Sequence, residues 1–148
     1  TGSLDLVDID NQTITVTDYK TGKPSTSWTG KSDYEKIKLH KYRQQLMFYE
    51  LLCANSRDYA RYKFAGARLQ FVEPDQSTGD IVALDDHFSN DELADFQRLI
   101  AAVWCCITSL EIPDTSHYDA NYRGILQFEE DLLAGNYPDY EQPKTGNE

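Results

Sequence analysis

Residues 3–20 read SLDLVDIDNQTITVTDYK and decide how the fold begins. Apolar and β-branched residues alternate with polar ones in residues 3–9 and again in residues 13–20, which is typical of strands with one buried face. The residues Asp10-Asn11-Gln12 between them favour a turn. This stretch therefore predicts a β-hairpin.

A two-residue turn with Asn11-Gln12 at its tip would fix the hairpin register, pairing Asp10 with Thr13 and Asp5 with Asp18. Side chains alternate between the two faces of a strand, so both carboxylates share one face with four apolar residues. These apolar residues, which make the face look core-directed, are Val7, Ile9, Ile14 and Val16. Opposed Cβ atoms lie about 4.5–5.5 Å apart, and like charges so placed destabilise the strand pair unless a cation neutralises them.

A divalent cation such as Mg²⁺ or Mn²⁺ would neutralise the pair, because hard cations are commonly held by one or two carboxylates, waters and a substrate phosphate. Lys20 follows Asp18 by two positions and projects from the same face, where its ammonium could hold a phosphate. Two acids and one amine fit phosphodiester chemistry. The alternative is a cluster of surface charges at a sheet edge.

The rest of the chain predicts three helices and two more strands. Helix 34–54 can be capped by Ser32 or Asp33, strands 67–73 and 81–84 flank a turn, and a helix over 92–112 stops before Pro113. A short helix over 122–134 ends at Gly135. The order β-β-α-β-β-α-α predicts an α/β or α+β domain, a mixed sheet flanked by helices, over residues 1–137 with a disordered tail at 138–148.

The net charge of −11 argues against a general polyanion-binding surface. The charge is uneven, because residues 20–43 hold seven of the fourteen Lys and Arg residues against two acids, which makes that segment +5 and leaves −16 elsewhere. A phosphate-tracking groove in this segment and a solvated helix face both remain open.

The three cysteines are an odd number, lie in apolar helical stretches and have no Cys-x-x-Cys spacing. They are predicted to be buried thiols in a reducing compartment, which indicates the cytoplasm. No apolar run long enough for a membrane span and no leader sequence is visible, and the sequence has the character of a piece of a longer protein.

Three motifs in residues 2–49 resemble the PD-(D/E)xK nuclease superfamily, in particular the RecB/AddB-like nuclease domain of UvrD/Rep-type helicases. They are GSLDLVD (2–8), DYKTGK (18–23) and QLMFY (45–49), in the order and spacing of that branch. The resemblance implies a restriction-endonuclease-like core. It also implies a metal-dependent deoxyribonuclease, expected to be an exonuclease, that acts with a helicase domain or subunit in DNA recombination or repair.

The resemblance also implies residue roles. Asp5, Asp18 and the main-chain carbonyl of Tyr19 would be metal ligands, and Lys20 would be the catalytic lysine. Gln45 would bond to the lysine region or to a DNA phosphate. Tyr49 would orient a strand or pack in the core. The further candidates for contacting the DNA backbone, with a solvated face as the alternative, are Lys23, Lys38, Lys41 and Arg43.

The chain departs from the family pattern in two ways that bear on activity. Relatives supply a further acid or histidine from a helix before the first motif, and no such helix precedes residue 2 here, so the first helix of the core is expected to be missing. The acidic remainder, including eight acids from Asp114 onward, would repel DNA unless it faces away. The alternative function is therefore a catalytically weak or inactive nuclease-like module that docks on protein or DNA.

Overall fold

The computed structural model describes residues 2–135, and the predicted tail at 138–148 lies outside them. Four strands and three helices follow one another in the predicted order β-β-α-β-β-α-α. Their bounds are β1 Leu6–Asp10, β2 Thr13–Lys20, α1 Asp33–Ala54, β3 Lys63–Pro74, β4 Ile81–Asp86, α2 Asn90–Ser109 and α3 Tyr122–Ala134.

The hairpin register is the predicted one. Asp10 pairs with Thr13 and Val7 pairs with Val16 in antiparallel β1 and β2. Asn11 adopts a left-handed conformation with φ 53°, which Asn tolerates because its short polar side chain can hydrogen-bond locally. β1 begins at Leu6, so Asp5 lies just ahead of the strand rather than inside the ladder.

The sheet is mixed, as predicted, with the strand order β1-β2-β3-β4. β2 and β3 run parallel and are connected through α1, whereas the two outer pairs are antiparallel. α1 packs on β2 and β3, so the edge strand β1 lies largely outside the part of the sheet that α1 covers. For this reason Ile14 and Val16 are buried but Ile9 is 48% exposed, and the expectation of a fully core-directed hairpin face is correct only for β2.

The core forms between α1 and the two central strands. α1 contributes three buried residues spaced seven apart, Leu39, Leu46 and Cys53. Tyr49 is buried beside them in the same core. The sheet residues in the same core are Ile14, Val16, Ala67, Leu69, Phe71 and Leu84. Ser32 caps α1 by accepting a hydrogen bond from the Glu35 main-chain N–H.

The later elements differ from the predictions mainly at their ends. β3 begins at Lys63, four residues earlier than predicted, because it continues along β2 past a bulge at Thr15 and Gly66. α2 ends at Ser109 instead of residue 112, and Leu110 has a left-handed φ of 62° that cannot continue a helix. α3 has the predicted bounds, with Gly135 as its C-cap at a φ of 69°. Asn121 is its N-cap.

The chain divides into two compact units, Thr1–Leu93 and Ala94–Glu148. The first holds the sheet, α1 and the beginning of α2. The second holds most of α2 and α3, where Tyr118 donates its hydroxyl to Asp131 over 2.8 Å. None of the helices in residues 2–135 is both long enough and apolar enough to cross a membrane.

All three cysteines are free thiols. Cys53 and Cys106 are buried, as predicted, but Cys105 is exposed and that part of the prediction is wrong. The reason is that Cys105 and Cys106 are consecutive on α2, where neighbouring residues point about 100° apart. On α2, Cys106 lies on the buried side and Cys105 on the solvent side.

Candidate active site

The candidate site lies at the carboxyl end of β2, where Asp18 and Lys20 occupy alternate positions. β2 lies between β1 and β3 and under α1, so Asp18 is only 2% exposed. Lys20 is partly buried as well, with 17% of its side chain exposed. A carboxylate so deeply buried is rare in proteins unless it is paired or hydrogen-bonded.

Side chains of α1 and β2 supply the partners of Asp18. Its Oδ1 accepts hydrogen bonds from the Tyr49 hydroxyl at 2.8 Å and from Gln45 Nε2 at 3.1 Å. Its Oδ2 lies 2.7 Å from Lys20 Nζ. The predicted residues Asp18, Lys20, Gln45 and Tyr49 are therefore brought together in one cluster.

Lys20 is held from three sides. Its Nζ donates to Gln45 Oε1 at 2.7 Å, is paired with Asp18, and lies 4.6 Å from the centre of the Tyr42 ring. A cation over an aromatic face is attracted by the ring quadrupole. The ammonium therefore points to a fixed position beside the buried carboxylate.

The helix contacts to Asp18 and Lys20 come from Tyr42, Gln45 and Tyr49, which share one stripe of α1 with Lys38. Lys38, Tyr42, Gln45 and Tyr49 follow at intervals of four, three and four residues, which places them on one side of the helix. The stripe runs beside the buried line of Leu39, Leu46 and Cys53. It therefore forms the border between the core and the candidate site.

Tyr49 is 7% exposed and lies beneath Asp18, where it packs in the core with its hydroxyl on the carboxylate. Burial, then the hydrogen bond and charge of Asp18, raise the pKa of Tyr49 to about 12. The phenol therefore remains a neutral donor at any physiological pH. The charge of Asp5 acts on the Tyr49 pKa in the same direction.

Asp5 is exposed and precedes β1, and its Oδ2 accepts a hydrogen bond of 3.0 Å from the Tyr19 main-chain N–H. This bond ties the Asp5 carboxylate to the residue that follows Asp18. Asp5 therefore lies beside the residue that follows Asp18 at the end of β2. The Tyr19 side chain itself is exposed.

The fit to a divalent cation depends on Asp18 Oδ2. This oxygen is buried, and its close partner is the Lys20 ammonium, whose Nζ lies 2.7 Å away in an ion pair. It keeps a lone pair available to a further electropositive group. No set of three or more His, Cys, Asp or Glu residues able to hold a metal occurs within residues 2–135, so the donors are two carboxylates, a number sufficient for Mg²⁺ that keeps its waters.

The predicted backbone-contacting residues lie in different places. Lys23 and Lys38 line a groove of about 390 Å³ next to the cluster, and Lys41 is exposed on α1. Arg43 lies elsewhere, with Nε 2.7 Å from Asp86 Oδ2 and a terminal nitrogen 2.7 Å from Glu92 Oε1. Its guanidinium is thus engaged by two carboxylates and is not brought to the Asp18 cluster.

Two acidic residues that sequence reasoning did not single out shape the loop after β2. Glu35 accepts the Ser25 hydroxyl at 2.9 Å and the Lys31 main-chain N–H at 2.7 Å, and burial of Ser25 at 1% exposure fixes this arrangement. Glu73 accepts the Gly22 N–H at 2.8 Å, where a φ of 93° favours glycine. The Ser32-x-x-Glu35 pattern of a capping box was the available signal for Glu35.

The comparison with protein families gives one match. The model of the PD-(D/E)XK nuclease superfamily matches residues 1–122, which include all four strands, α1 and α2. No curated protein and no solved structure matches the chain significantly.

Proposed function

The chain belongs to the PD-(D/E)XK nuclease superfamily, and we propose that its Asp18 cluster hydrolyses phosphodiester bonds of DNA with Mg²⁺ or Mn²⁺. Membership gives nuclease-type chemistry. The DNA substrate, the metal and the assignment of roles to Asp5, Asp18, Lys20 and Gln45 are our proposals. The observation that carries them is the buried Asp18 carboxylate, whose Oδ1 accepts two hydrogen bonds and whose Oδ2 is ion-paired with Lys20.

Lys20 is the group that would stabilise the charge developing on the phosphoryl oxygens. An ammonium has three N–H donors. One donates to Gln45 Oε1, and the ammonium is ion-paired with Asp18, so donor capacity remains for a phosphate oxygen. Gln45 and Tyr42 hold the ammonium in place before substrate arrives, and such preorganisation avoids a reorganisation cost during the reaction.

The Asp5 and Asp18 carboxylates and the Tyr19 carbonyl would hold the cation, which would supply a Lewis acid beside the scissile phosphate. Tyr49 and Gln45 keep Asp18 in the orientation that this requires, since both donate to Oδ1, and Oδ2, which Lys20 pairs with, would be the oxygen shared with the cation. Asp5 is oriented in turn by the Tyr19 N–H.

The wider role follows from the motif resemblance. We propose an exonuclease that works in the cytoplasm with a helicase domain or subunit, in recombination or repair. The spacing of the three motifs supports this assignment, and the free thiols of all three cysteines agree with a reducing compartment.

Digestion of end-labelled linear DNA by the purified chain tests the proposal. Activity should require Mg²⁺ or Mn²⁺, be abolished by EDTA, and be lost in Lys20→Met, which keeps the length of the side chain but removes the charge. Asp86→Asn is the control, because it alters another partly buried ion pair, with Arg43, away from the cluster. Cleavage that persists in Lys20→Met or in EDTA would remove this mechanism.

A docking module without catalysis is the second candidate. The restriction of the metal donors to two carboxylates within residues 2–135 favours it. In that case the wild-type chain would neither cut DNA with either metal nor bind Mn²⁺, and isothermal calorimetry with Mn²⁺ alone separates the two functions. Mn²⁺ binding that disappears in Asp18→Asn supports the nuclease.

A further inference from the structure

The Lys20 ammonium offsets the charge of Asp18 in this structure. Oδ2 of Asp18 is buried and lies 2.7 Å from Lys20 Nζ. The other oxygen, Oδ1, accepts hydrogen bonds from two neutral donors, Gln45 Nε2 and the Tyr49 hydroxyl. A positive charge therefore already lies beside Oδ2, the oxygen proposed to be shared with the cation.

Two further contacts of the Lys20 ammonium are made to neutral groups of α1. Its Nζ donates to Gln45 Oε1 at 2.7 Å and lies 4.6 Å from the centre of the Tyr42 ring. The Gln45 amide is itself fixed, because its Nε2 is hydrogen-bonded to Asp18 Oδ1 and to the Tyr49 hydroxyl. Lys20 can therefore lose its contact with Asp18 and still be held by a carbonyl oxygen and an aromatic face.

The Lys20 ammonium and a divalent cation would compete for Asp18 Oδ2. Two cations beside one carboxylate repel each other, and the repulsion is stronger where burial lowers the local dielectric. Asp18 is only 2% exposed, so water screens little of this repulsion. Lys20 has 17% of its side chain exposed and can turn towards solvent, whereas the carboxylate is held by α1. The contact that yields is therefore the ion pair between Lys20 and Asp18.

We propose that Lys20 is the built-in counter-ion of Asp18, and that on cation binding its ammonium leaves Oδ2 for the substrate phosphate while Gln45 and Tyr42 continue to hold it. The inference rests on the proposed function and adds a regulation of the same site. The exchange frees donor capacity that Asp18 engages in this structure. Lys20 therefore engages the phosphate most strongly once the cation is bound, which links the two events.

Calorimetry with Mn²⁺ alone, without DNA, tests the competition. An opposite charge beside a carboxylate weakens its binding of a proton about 10- to 1,000-fold, and a metal ion meets the same field, so Lys20→Met should bind Mn²⁺ at least about 10-fold more tightly than the wild type. The same variant is expected to lose cleavage, so affinity and activity should change in opposite directions. Lys63→Met, which should bind Mn²⁺ as the wild type does, is the matched control for the loss of one positive charge. Lys63 is exposed at the start of β3, at the opposite end of the sheet from Lys20.

Urea unfolding gives a second readout of the same competition. Removing the ammonium leaves the buried Asp18 carboxylate without its counter-ion, so in EDTA the Lys20→Met chain should unfold at a lower urea concentration than the wild type. The same concentration of Mn²⁺ should then raise the urea midpoint of Lys20→Met by more than that of the wild type, because a ligand that binds the folded chain more tightly stabilises it more.

The unsubstituted chain reports the exchange directly and does not depend on the folding of a variant. In a sample with ¹³C-labelled lysine, the signal of the Lys20 ε-carbon is identified by its absence from the spectrum of Lys20→Met or Lys20→Arg. It should shift on addition of Mg²⁺, which is diamagnetic, because the ammonium changes its partner. The corresponding signal of Lys63 should stay in place.

Equal or weaker Mn²⁺ binding by Lys20→Met, or a Lys20 signal that does not move with Mg²⁺, would overturn the inference even if the wild-type chain binds Mn²⁺ and cuts DNA. Conversely, tighter Mn²⁺ binding by Lys20→Met, in a protein whose wild type cuts no DNA with either metal, would retain the exchange and remove the nuclease proposal. Absence of Mn²⁺ binding from both chains would overturn both.

Discussion

Two polar borders of α1 carry similar groups and differ in how their charges are satisfied. The catalytic border consists of Lys38, Tyr42, Gln45 and Tyr49 and faces the end of β2. The opposite border, which we term the Arg43 border, consists of Arg43 and Glu50 and faces the segment after β4.

At the Arg43 border one guanidinium is paired with two carboxylates. Arg43 binds Asp86 and Glu92 at 2.7 Å each, and Phe88 lies 5.2 Å from the guanidinium carbon. Asp86 also accepts the His87 N–H, and Glu92 accepts both the N–H and the hydroxyl of Ser89. A network with this many partners joins α1, β4 and the start of α2.

At the catalytic border one carboxylate is paired with one ammonium. Asp18 is more deeply buried than Asp86; its Oδ2 lies 2.7 Å from Lys20 Nζ, and its Oδ1 accepts hydrogen bonds from Gln45 and Tyr49. Buried, strongly coupled titratable groups are common at functional sites, although structural ion pairs show the same features. The two borders therefore differ in how deeply their carboxylates are buried and in the ratio of cations to anions.

The largest expected effect is on activity. Asp18→Asn should lower nuclease activity by about 10³-fold, because the carboxylate that pairs with Lys20 and holds the cation is replaced by a neutral amide. Asp86→Asn should leave activity unchanged and lower the free energy of unfolding by about 1 kcal/mol. Cleavage rates and urea unfolding of both variants give the two readouts, and an equal loss of activity in both would break the comparison.

A smaller loss is expected for Tyr49→Phe. Removing the hydroxyl deprives Asp18 Oδ1 of one donor while Gln45 remains, so the rate should fall about 10- to 100-fold, the range for groups that orient a metal ligand. We expect the loss in kcat, with KM for DNA unchanged, since Tyr49 is buried. A change confined to KM would indicate that Tyr49 contacts the substrate instead.

Tyr49 also predicts behaviour at high pH. Its pKa is raised from 10.0 to about 12, so the folded chain holds this proton more tightly than the unfolded chain. The resulting stabilisation is complete below pH 10 and is lost as the pH rises towards 12. Urea midpoints between pH 9 and 12 should fall less steeply in Tyr49→Phe than in the wild type.

The smallest effect is expected at the Arg43 border in acid. The Ser89 N–H, the Arg43 guanidinium and the Ser89 hydroxyl, in that order, lower the pKa of Glu92 from 4.5 to about 2. The stabilisation from this carboxylate is therefore present above pH 4.5 and lost as the pH falls towards 2. Glu92→Gln should flatten the dependence of the urea midpoint on pH in this window, and because Glu92 is 41% exposed the change should shrink with added salt.

The sequence was sufficient for elements whose signals are local. Alternation and the Asn11-Gln12 turn predicted the hairpin with its register, and Gly135 marked the end of the last helix. Local signals were weaker where long-range contacts extend an element. β3 starts early because β2 offers it further hydrogen-bonding partners, a pairing between residues some fifty positions apart.

The sequence also indicated which residues lie together at the candidate site. Alternation in β2 places Asp18 and Lys20 on one face, and helical spacing places Gln45 and Tyr49 on one side of α1. Only the tertiary structure decided how those residues are used. Burial under α1 makes Tyr49 a donor to Asp18, contact with β4 and α2 engages Arg43, and solvent reaches Cys105 but not Cys106. The physical reason is that a residue's position along one element follows from the chain, whereas its burial and its partners depend on the other elements that pack against it.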